Sequence, residues 1–366
     1  MDSNKKAQVI FRCDASLEIG TGHVMRCLTL ANALRLQGSV CRFVCKEFSG
    51  NLKNRIQQDG FEVVFLPPAL AEIDKGQKES NLPKHFPWLG GSWQDDAEQT
   101  IAAIGSNKPS WLIVDHYGID IRWEKVLRPH VEKIMVIDDL ADREHDCDLL
   151  LDQNLVANID QRYEGLLPEK SVRLLGPKYA ILQPEYAELR KKAKVREGTV
   201  NRILIYFGGA DIDNLSGMAL EAFGSLQLNN ILVDVVINPK SPHAEALKNQ
   251  TKREKNITCH ENLPSLAPLM INADLSIGAG GATSWERCCL GLPSIVVPIS
   301  HNQIELTKYL SKINAIATLI PCKNEMEKNF RFFISSRSKK LKSMSLKSFS
   351  LVDGLGTNRL KQRMGI

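Results

Sequence analysis

Short runs dense in β-branched and aliphatic residues alternate along the chain with stretches whose apolar residues recur every three or four positions. The runs Val9–Cys13, Val40–Lys46, Phe61–Leu66, Trp111–His116, Ile134–Asp138 and Asp148–Leu151 predict one series of strands. A second series covers Arg202–Phe207, Ile231–Ile237, Ile257–His260, Leu275–Ile277, Ser294–Pro298 and Ala317–Leu319. Several runs are apolar almost without a break, such as 112–114 and 295–297. That is the pattern of strands in a parallel sheet covered by helices on both faces. Between the strands the period is helical. After His23, apolar residues fall at Val24, Cys27, Leu28, Ala31 and Leu34, one helix face, and Gly38 ends the run. The alternation predicts an α/β protein. No repeat of 20–50 residues is present, which excludes a solenoid.

The two series predict two units, with the boundary between about residues 160 and 200 and the domains drawn as 1–175 and 176–366. The Lys/Arg-rich stretch 189–201 reads as a linker or a surface helix, and 67–96, rich in Pro, Gly and charge, as a long loop. Two such units create a cleft between the carboxyl edges of their sheets, where strand-to-helix loops meet ligands.

Composition narrows the function classes. The chain has 366 residues, 43% hydrophobic and 24% charged, ordinary for a soluble globular protein of about two domains. No apolar run is long enough to span a membrane, and no secretory core precedes the first strand, so a cytoplasmic protein is expected. The net charge of +5 is uneven: residues 323–366 carry eleven Lys/Arg against Glu325, Glu327 and Asp353. A basic segment of that kind reads as a solvated helix face, and the chain as a whole as no nucleic-acid binder. Nine scattered cysteines, without a C-x-x-C pair, give neither a zinc site nor a redox pair. No metal and no cofactor is expected, and a monomer is the default.

Candidate chemistry lies in the loops after strands. In Glu18-Ile19-Gly20-Thr21-Gly22-His23, Gly20 and Gly22 permit a tight turn with room for a ligand, and His23 opens a helix, as a general base or as a structural histidine. The dinucleotide fingerprint fails because Met25 occupies the third glycine position. Gly208 and Gly209 after the strand 202–207 read as a phosphate contact or as an ordinary turn, and Asp211 or Asp213 as a helix cap. The most specific segment is Gly278-Ala279-Gly280-Gly281-Ala282-Thr283-Ser284-Trp285-Glu286: a strand, a glycine-rich turn and a helix start with two hydroxyls, suited to a diphosphate. It has no Walker lysine. Glu286 fits a ribose diol, or a capping box with Thr283. Asn302 and Gln303, after His301, suit sugar hydroxyls or acetamido groups. Asp115, His116 and Tyr117 end one strand and Asp138-Asp139 another. These read as substrate contacts, with the paired carboxylates open to metal, acid–base or capping roles.

The stretches IGTGHVMRCLTLA (19–31), VDHYGID (114–120), IDDLADREHDCDLLLDQN (137–154), LLGPKYAILQPEY (174–186), FGGAD (207–211), GAGGATSWERCCLGLP (278–293) and HNQ (301–303) resemble the pseudaminic-acid pathway hydrolases. That family cleaves UDP-2,4-diacetamido-2,4,6-trideoxy-β-L-altropyranose. The resemblance runs from about residue 9 to 360 and implies a GT-B-like pair of Rossmann-like domains facing across a cleft. It implies His23 as the base that activates water, Gly280, Gly281, Ala282, Thr283 and Ser284 around the diphosphate of a UDP-sugar, and Glu286 on the ribose. It supports Asn302 and Gln303 more than His301. The rival it leaves is a GT-B glycosyltransferase using the same donor.

Overall fold

The computed structural model describes residues 6–67, 82–209, 211–335 and 339–366. The chain divides into two compact units. The first contains Met1–Asn154, Asn158–Ile181 and Thr357–Ile366, and the second Leu155–Ala157 and Leu182–Gly356.

The first unit holds seven parallel strands: β1 (Gln8–Cys13), β2 (Val40–Lys46), β3 (Glu62–Leu66), β4 (Trp111–Asp115), β5 (Lys133–Ile137), β6 (Leu149–Asp152) and β7 (Val172–Leu175), in the order β3-β2-β1-β4-β5-β6-β7. Successive residues explain their unbroken apolar runs. Phe11, Ile113, Met135 and Ile137 enter one core, while Ile10, Leu112, Val114, Ile134 and Val136 enter the core on the opposite face. A strand with helices on both sides has no face left for polar residues. The second unit holds β8 (Arg202–Tyr206), β9 (Leu232–Ile237), β10 (Ile257–Glu261), β11 (Leu275–Ala279), β12 (Ser294–Val297) and β13 (Ala317–Thr318), all parallel, in the order β10-β9-β8-β11-β12-β13. Each sheet therefore winds outward one way from its first strand and then the other way. The reversal falls between β1 and β4 in one unit and between β8 and β11 in the other. Such a switch point leaves a crevice at the carboxyl edge of an open sheet.

Among the described residues, twelve of the thirteen strands coincide with runs read from the sequence; β7 does not. It is a four-residue edge strand with two exposed positions, too short and too polar to show a period. Three expectations about organisation are corrected. Residues 357–366, assigned to the second domain, belong with 176–181 to the first unit. There Leu360 and Met364 are buried in the core, Trp111 Nε1 donates to the carbonyl of Met364 at 3.2 Å, and Arg359 donates to that of Lys178 at 2.8 Å. The stretch 189–201 is no free linker: Arg196 is buried in the second unit and its guanidinium donates to the carbonyls of Met270, Ile271, Ala273 and Leu290. Of the long loop 67–96, residues 68–81 lie outside the described residues. The rest forms a 3-10 turn, Phe86–Leu89, and the start of the helix Trp93–Ile104, whose N-cap Ser92 accepts from Asp95 N at 3.0 Å.

The basic C-terminal segment forms the helices Lys323–Ser335 and Lys339–Leu351. Met326, Phe330, Phe333, Leu341 and Met344 enter the second core, so these are amphipathic cover helices with solvated basic faces.

Candidate functional site

In the first unit, the helix Gly22–Arg35 follows β1 across the switch point. Its residues 23, 26 and 27 share one face, because side chains three and four positions apart stack along a helix. That face meets the end of β4. His23 Nδ1 lies 2.6 Å from Asp115 Oδ1, Arg26 donates to both oxygens of Asp115 at 2.7 Å, and the Cys27 thiol donates to Oδ2. Burial works to raise the Asp115 carboxyl, but Arg26, helped by His23, overrides it and holds the group well below the usual carboxylate range. An ionised Asp115 can only accept, so Nδ1 carries the hydrogen and Nε2 is the nitrogen left to take a proton.

Asp115 has no exposed surface, and its oxygens are engaged by His23, Arg26 and Cys27. The sequence reading made it a substrate contact; the structure makes it the group that orients His23. His116, read the same way, points to the other face of the sheet. It is buried, its Nε2 lies 3.2 Å from Asp14 and its Nδ1 accepts from Gly118 N. Asp14 in turn pairs with Arg12, which pairs with Asp96. Burial lowers the affinity of His116 for a proton despite Asp14. This is a buried interior ion-pair network and not a substrate surface.

Tyr117 belongs with His23. Its ring packs edge-on at 4.6 Å from the imidazole and its hydroxyl donates to Asp139 Oδ2 at 2.7 Å, which also receives Arg26 at 2.9 Å. The paired carboxylates separate: Asp139 joins this cluster, while Asp138 is buried with Arg143 and Tyr163 and caps the turn at Leu140 and Ala141. His23 itself is 7% exposed. Gly20, with φ +79°, and Gly22 precede it, and a Cβ at either would meet no atom within 4 Å.

In the second unit, β11 leads into Gly280-Gly281-Ala282 and the helix Thr283–Cys289. A side chain on Gly278 would place its Cβ 2.0 Å from the carbonyl of Tyr206 in the neighbouring strand, so only glycine fits there. Gly281, at φ +94°, makes the turn. The amides of Ser284 and Trp285 turn back to the carbonyls of Gly281 and Ala282. Those of Ala282 and Thr283, at the start of the helix, are the donors this geometry offers to an anion. Gln303, on the helix His301–Lys312, closes the other side: its Oε1 would lie 3.0 Å from a Cβ on Gly280, and it accepts from Ile299 N. Asn302 accepts from Ser300 Oγ at 2.6 Å and is exposed.

Thr283 and Glu286 form no capping box. The N-cap is Ala282, without a side-chain cap. The Glu286 carboxyl is raised by burial, against the pull of a hydrogen bond from Tyr186 and of Arg287, and its Oε2 is enclosed without a partner. A buried carboxylate oxygen left without a donor fits a hydroxyl of a bound molecule. Gly208, with φ +91°, and Gly209 follow β8; Asn238 donates to the Gly209 carbonyl at 2.6 Å. Asp211 accepts from Leu215 N and Ser216 N, at the start of the helix Leu215–Gly224.

Two groups of expected residues therefore assemble: His23 and Tyr117 with Asp115 behind them, and Gly280–Ser284 with Glu286 and Gln303. Arg26 and Tyr186 escaped the sequence reading. For Arg26 a signal existed, since a charged residue three positions after His23 on a helix otherwise apolar there needs a buried carboxylate.

The chain matches the family model of the glycosyltransferase family 28 C-terminal domain over residues 202–343. An uncharacterized protein of Methanocaldococcus jannaschii is 28% identical over 82% of this chain, which spans 58% of that longer protein. The UDP-2,4-diacetamido-2,4,6-trideoxy-beta-L-altropyranose hydrolase of Campylobacter jejuni is 28% identical over 83% of this chain and 96% of its own. Among solved structures, MurG of Acinetobacter baumannii aligns with a TM-score of 0.64 over 99% of both chains at 15% identity, a likeness of fold. The chain thus has two parallel-sheet α/β domains of the GT-B type and relatives among enzymes that process UDP-sugars. Among the described residues no helix is long and apolar enough to cross a membrane.

Proposed function

We propose that the protein hydrolyses UDP-2,4-diacetamido-2,4,6-trideoxy-β-L-altropyranose to UDP and the free sugar. The observation that carries this reading is the His23–Asp115 pair, because it fixes the tautomer in which Nε2 can take a proton from water. In the step, the water oxygen forms a bond to the anomeric carbon while the bond from that carbon to the diphosphate oxygen breaks. The bonding pair leaves with UDP, and the water proton passes to Nε2. Attack opposite the leaving group inverts the anomeric centre.

A diphosphate holds the departing charge, so the reaction needs no second carboxylate to protonate the leaving group. It needs donors at the developing negative charge, each worth ~3 kcal/mol of barrier, and one base, worth roughly 10²–10⁴-fold. The turn Gly280–Ser284 supplies the donors and Glu286 the ribose acceptor. Asn302 and Gln303 contact the sugar. Gly20 and Gly22 leave the base accessible, and Gly208 and Gly209 line the diphosphate. The hydrolase relative supports the reaction, and the free cysteines fit a cytoplasmic enzyme.

The alternative is transfer of the sugar to an acceptor hydroxyl, favoured by the match to a glycosyltransferase domain. Purified protein given the UDP-sugar and no acceptor decides between them. Free sugar equimolar with UDP is expected, with an inverted anomer by NMR; UDP release only after an acceptor is added establishes the transferase. His23→Ala is expected to lower hydrolysis by about 10³-fold with UDP affinity nearly intact.

A further inference from the structure

Arg287, in the helix Thr283–Cys289, is 2% exposed and carries a charge into the interior of the second unit. Burial pulls its pKa down to about 10, against a smaller pull from Glu286, so it stays a cation at neutral pH. The buried arginines of the first unit, Arg12, Arg26 and Arg143, each meet a carboxylate at 3.0 Å or less. Arg287 does not: among the described residues no carboxylate lies within ion-pair distance of it. Arg196 shares that lack, but its guanidinium is occupied by the carbonyls of Lys194, Met270, Ile271, Ala273 and Leu290.

The bonds Arg287 does make go to the glycine turn. Its Nη2 donates to the Ala279 carbonyl at 2.7 Å and to Ser284 Oγ at 3.2 Å, the residues that flank 280–283. Its Nη1 would lie 3.0 Å from a Cβ on Gly278, where β11 runs into the turn. Its Nε is enclosed without a partner. A buried cation so poorly balanced is costly unless an opposite charge arrives.

We propose that Arg287 is the positioning residue of the Gly280–Ser284 turn, and that the phosphates of the bound ligand balance its buried charge. This rests on the UDP-sugar reading above, and it assigns the preference for a nucleotide over its nucleoside to a side chain behind the turn. One nitrogen ties both ends of the turn, and so keeps the shape in which the amides of Ala282 and Thr283 are left for the ligand. From the same place the charge acts through the protein interior, where it is felt more strongly than through water. Uridine carries no charge, so the effect falls on the phosphates.

Binding of UDP and of uridine is measured by calorimetry in the parent, in Arg287→Met and in Arg287→Lys. The parent is expected to bind UDP more tightly than uridine by about a hundredfold. Arg287→Met removes the charge at similar volume and is expected to narrow that ratio by about tenfold, with uridine affinity within threefold of the parent. Arg287→Lys keeps the charge and is expected to hold the ratio within threefold of the parent. An unchanged ratio in Arg287→Met overturns the proposal, and so does a parallel fall for UDP and uridine, which marks a structural role. A ratio narrowed as far by lysine as by methionine overturns it too, because the effect then lies in the bonds to Ala279 and Ser284. Should Arg287→Met not fold, the lysine variant decides by the same criterion. In each of these cases the parent still binds UDP and the underlying reading stands. A parent that does not bind UDP overturns that reading and this proposal with it.

Discussion

At the end of β4, three side chains from one helix face converge on a carboxylate with no exposed surface. At the end of β11, the chain offers a turn of glycine and alanine, mostly backbone, with one carboxylate oxygen enclosed and unpartnered. Both places are the switch points of parallel sheets. In the reaction proposed above, the two places are asked for different chemistry. A base must present one nitrogen in one protonation state, and only side-chain bonds to its other nitrogen fix that. In that proposal the diphosphate is held by backbone amides, which a turn of small residues leaves open.

The sharpest way to break this contrast is Asp115→Asn. It keeps the shape but removes the charge that fixes the His23 tautomer and balances Arg26. Loss of an orienting aspartate in a Ser-His-Asp triad costs about 10⁴-fold, and a loss of about 10³-fold in kcat is expected here. Removing one partner of a buried ion pair also destabilises, by ~3–5 kcal/mol, so the melt of the first unit is followed alongside. A variant that is folded and within threefold of the parent rate shows that the pair does not serve catalysis.

A smaller effect is expected in the second unit. Glu286→Ala removes the enclosed acceptor and should weaken UDP binding by about tenfold, or about 1.4 kcal/mol, without changing the single-turnover rate of bound substrate. Unchanged affinity for UDP together with unchanged discrimination against dUDP and dTDP would take the ribose away from this residue.

The smallest effect concerns pH. Burial next to Asp139 pushes the Asp152 carboxyl up to about 7, against the pull of Arg162, whereas it titrates near 4 when unfolded. Between those values the folded chain holds a proton that the unfolded chain releases. Stability from this group is therefore complete below about pH 4 and lost as pH rises through about 7. Asp115, Asp138 and Asp14 act in the opposite sense, being held below the usual range, and their stabilisation fades as pH falls below about 4. Asp152→Asn should flatten the upper slope, raising the melting temperature by about 2 °C at pH 7.5 relative to its effect at pH 5. Equal effects at both values exclude a raised carboxyl.

The strands were readable because parallel strands buried on both faces need apolar residues at every position, which leaves an unmistakable run such as 112–114 or 295–297. The glycine turn was readable for a similar reason: Gly278 is required by the Tyr206 carbonyl and Gly281 by its backbone angle, and both are local demands. The turn Phe86–Leu89 was hidden, since its segment has no period and owes its place to Phe48, Tyr117 and Glu18, far away in sequence.

By itself, then, the sequence determined two parallel-sheet units, a histidine at the start of a helix, and a glycine turn after a strand, because periodicity and steric need act over a few residues. Only the tertiary structure decided what Asp115 and His116 do. Asp115 ends β4 and His116 follows it, so one carboxylate meets His23 and Arg26 while the adjacent ring meets Asp14, and no local pattern says which. The return of residues 357–366 to the first unit was decided in the same way, by a core that only the folded chain assembles.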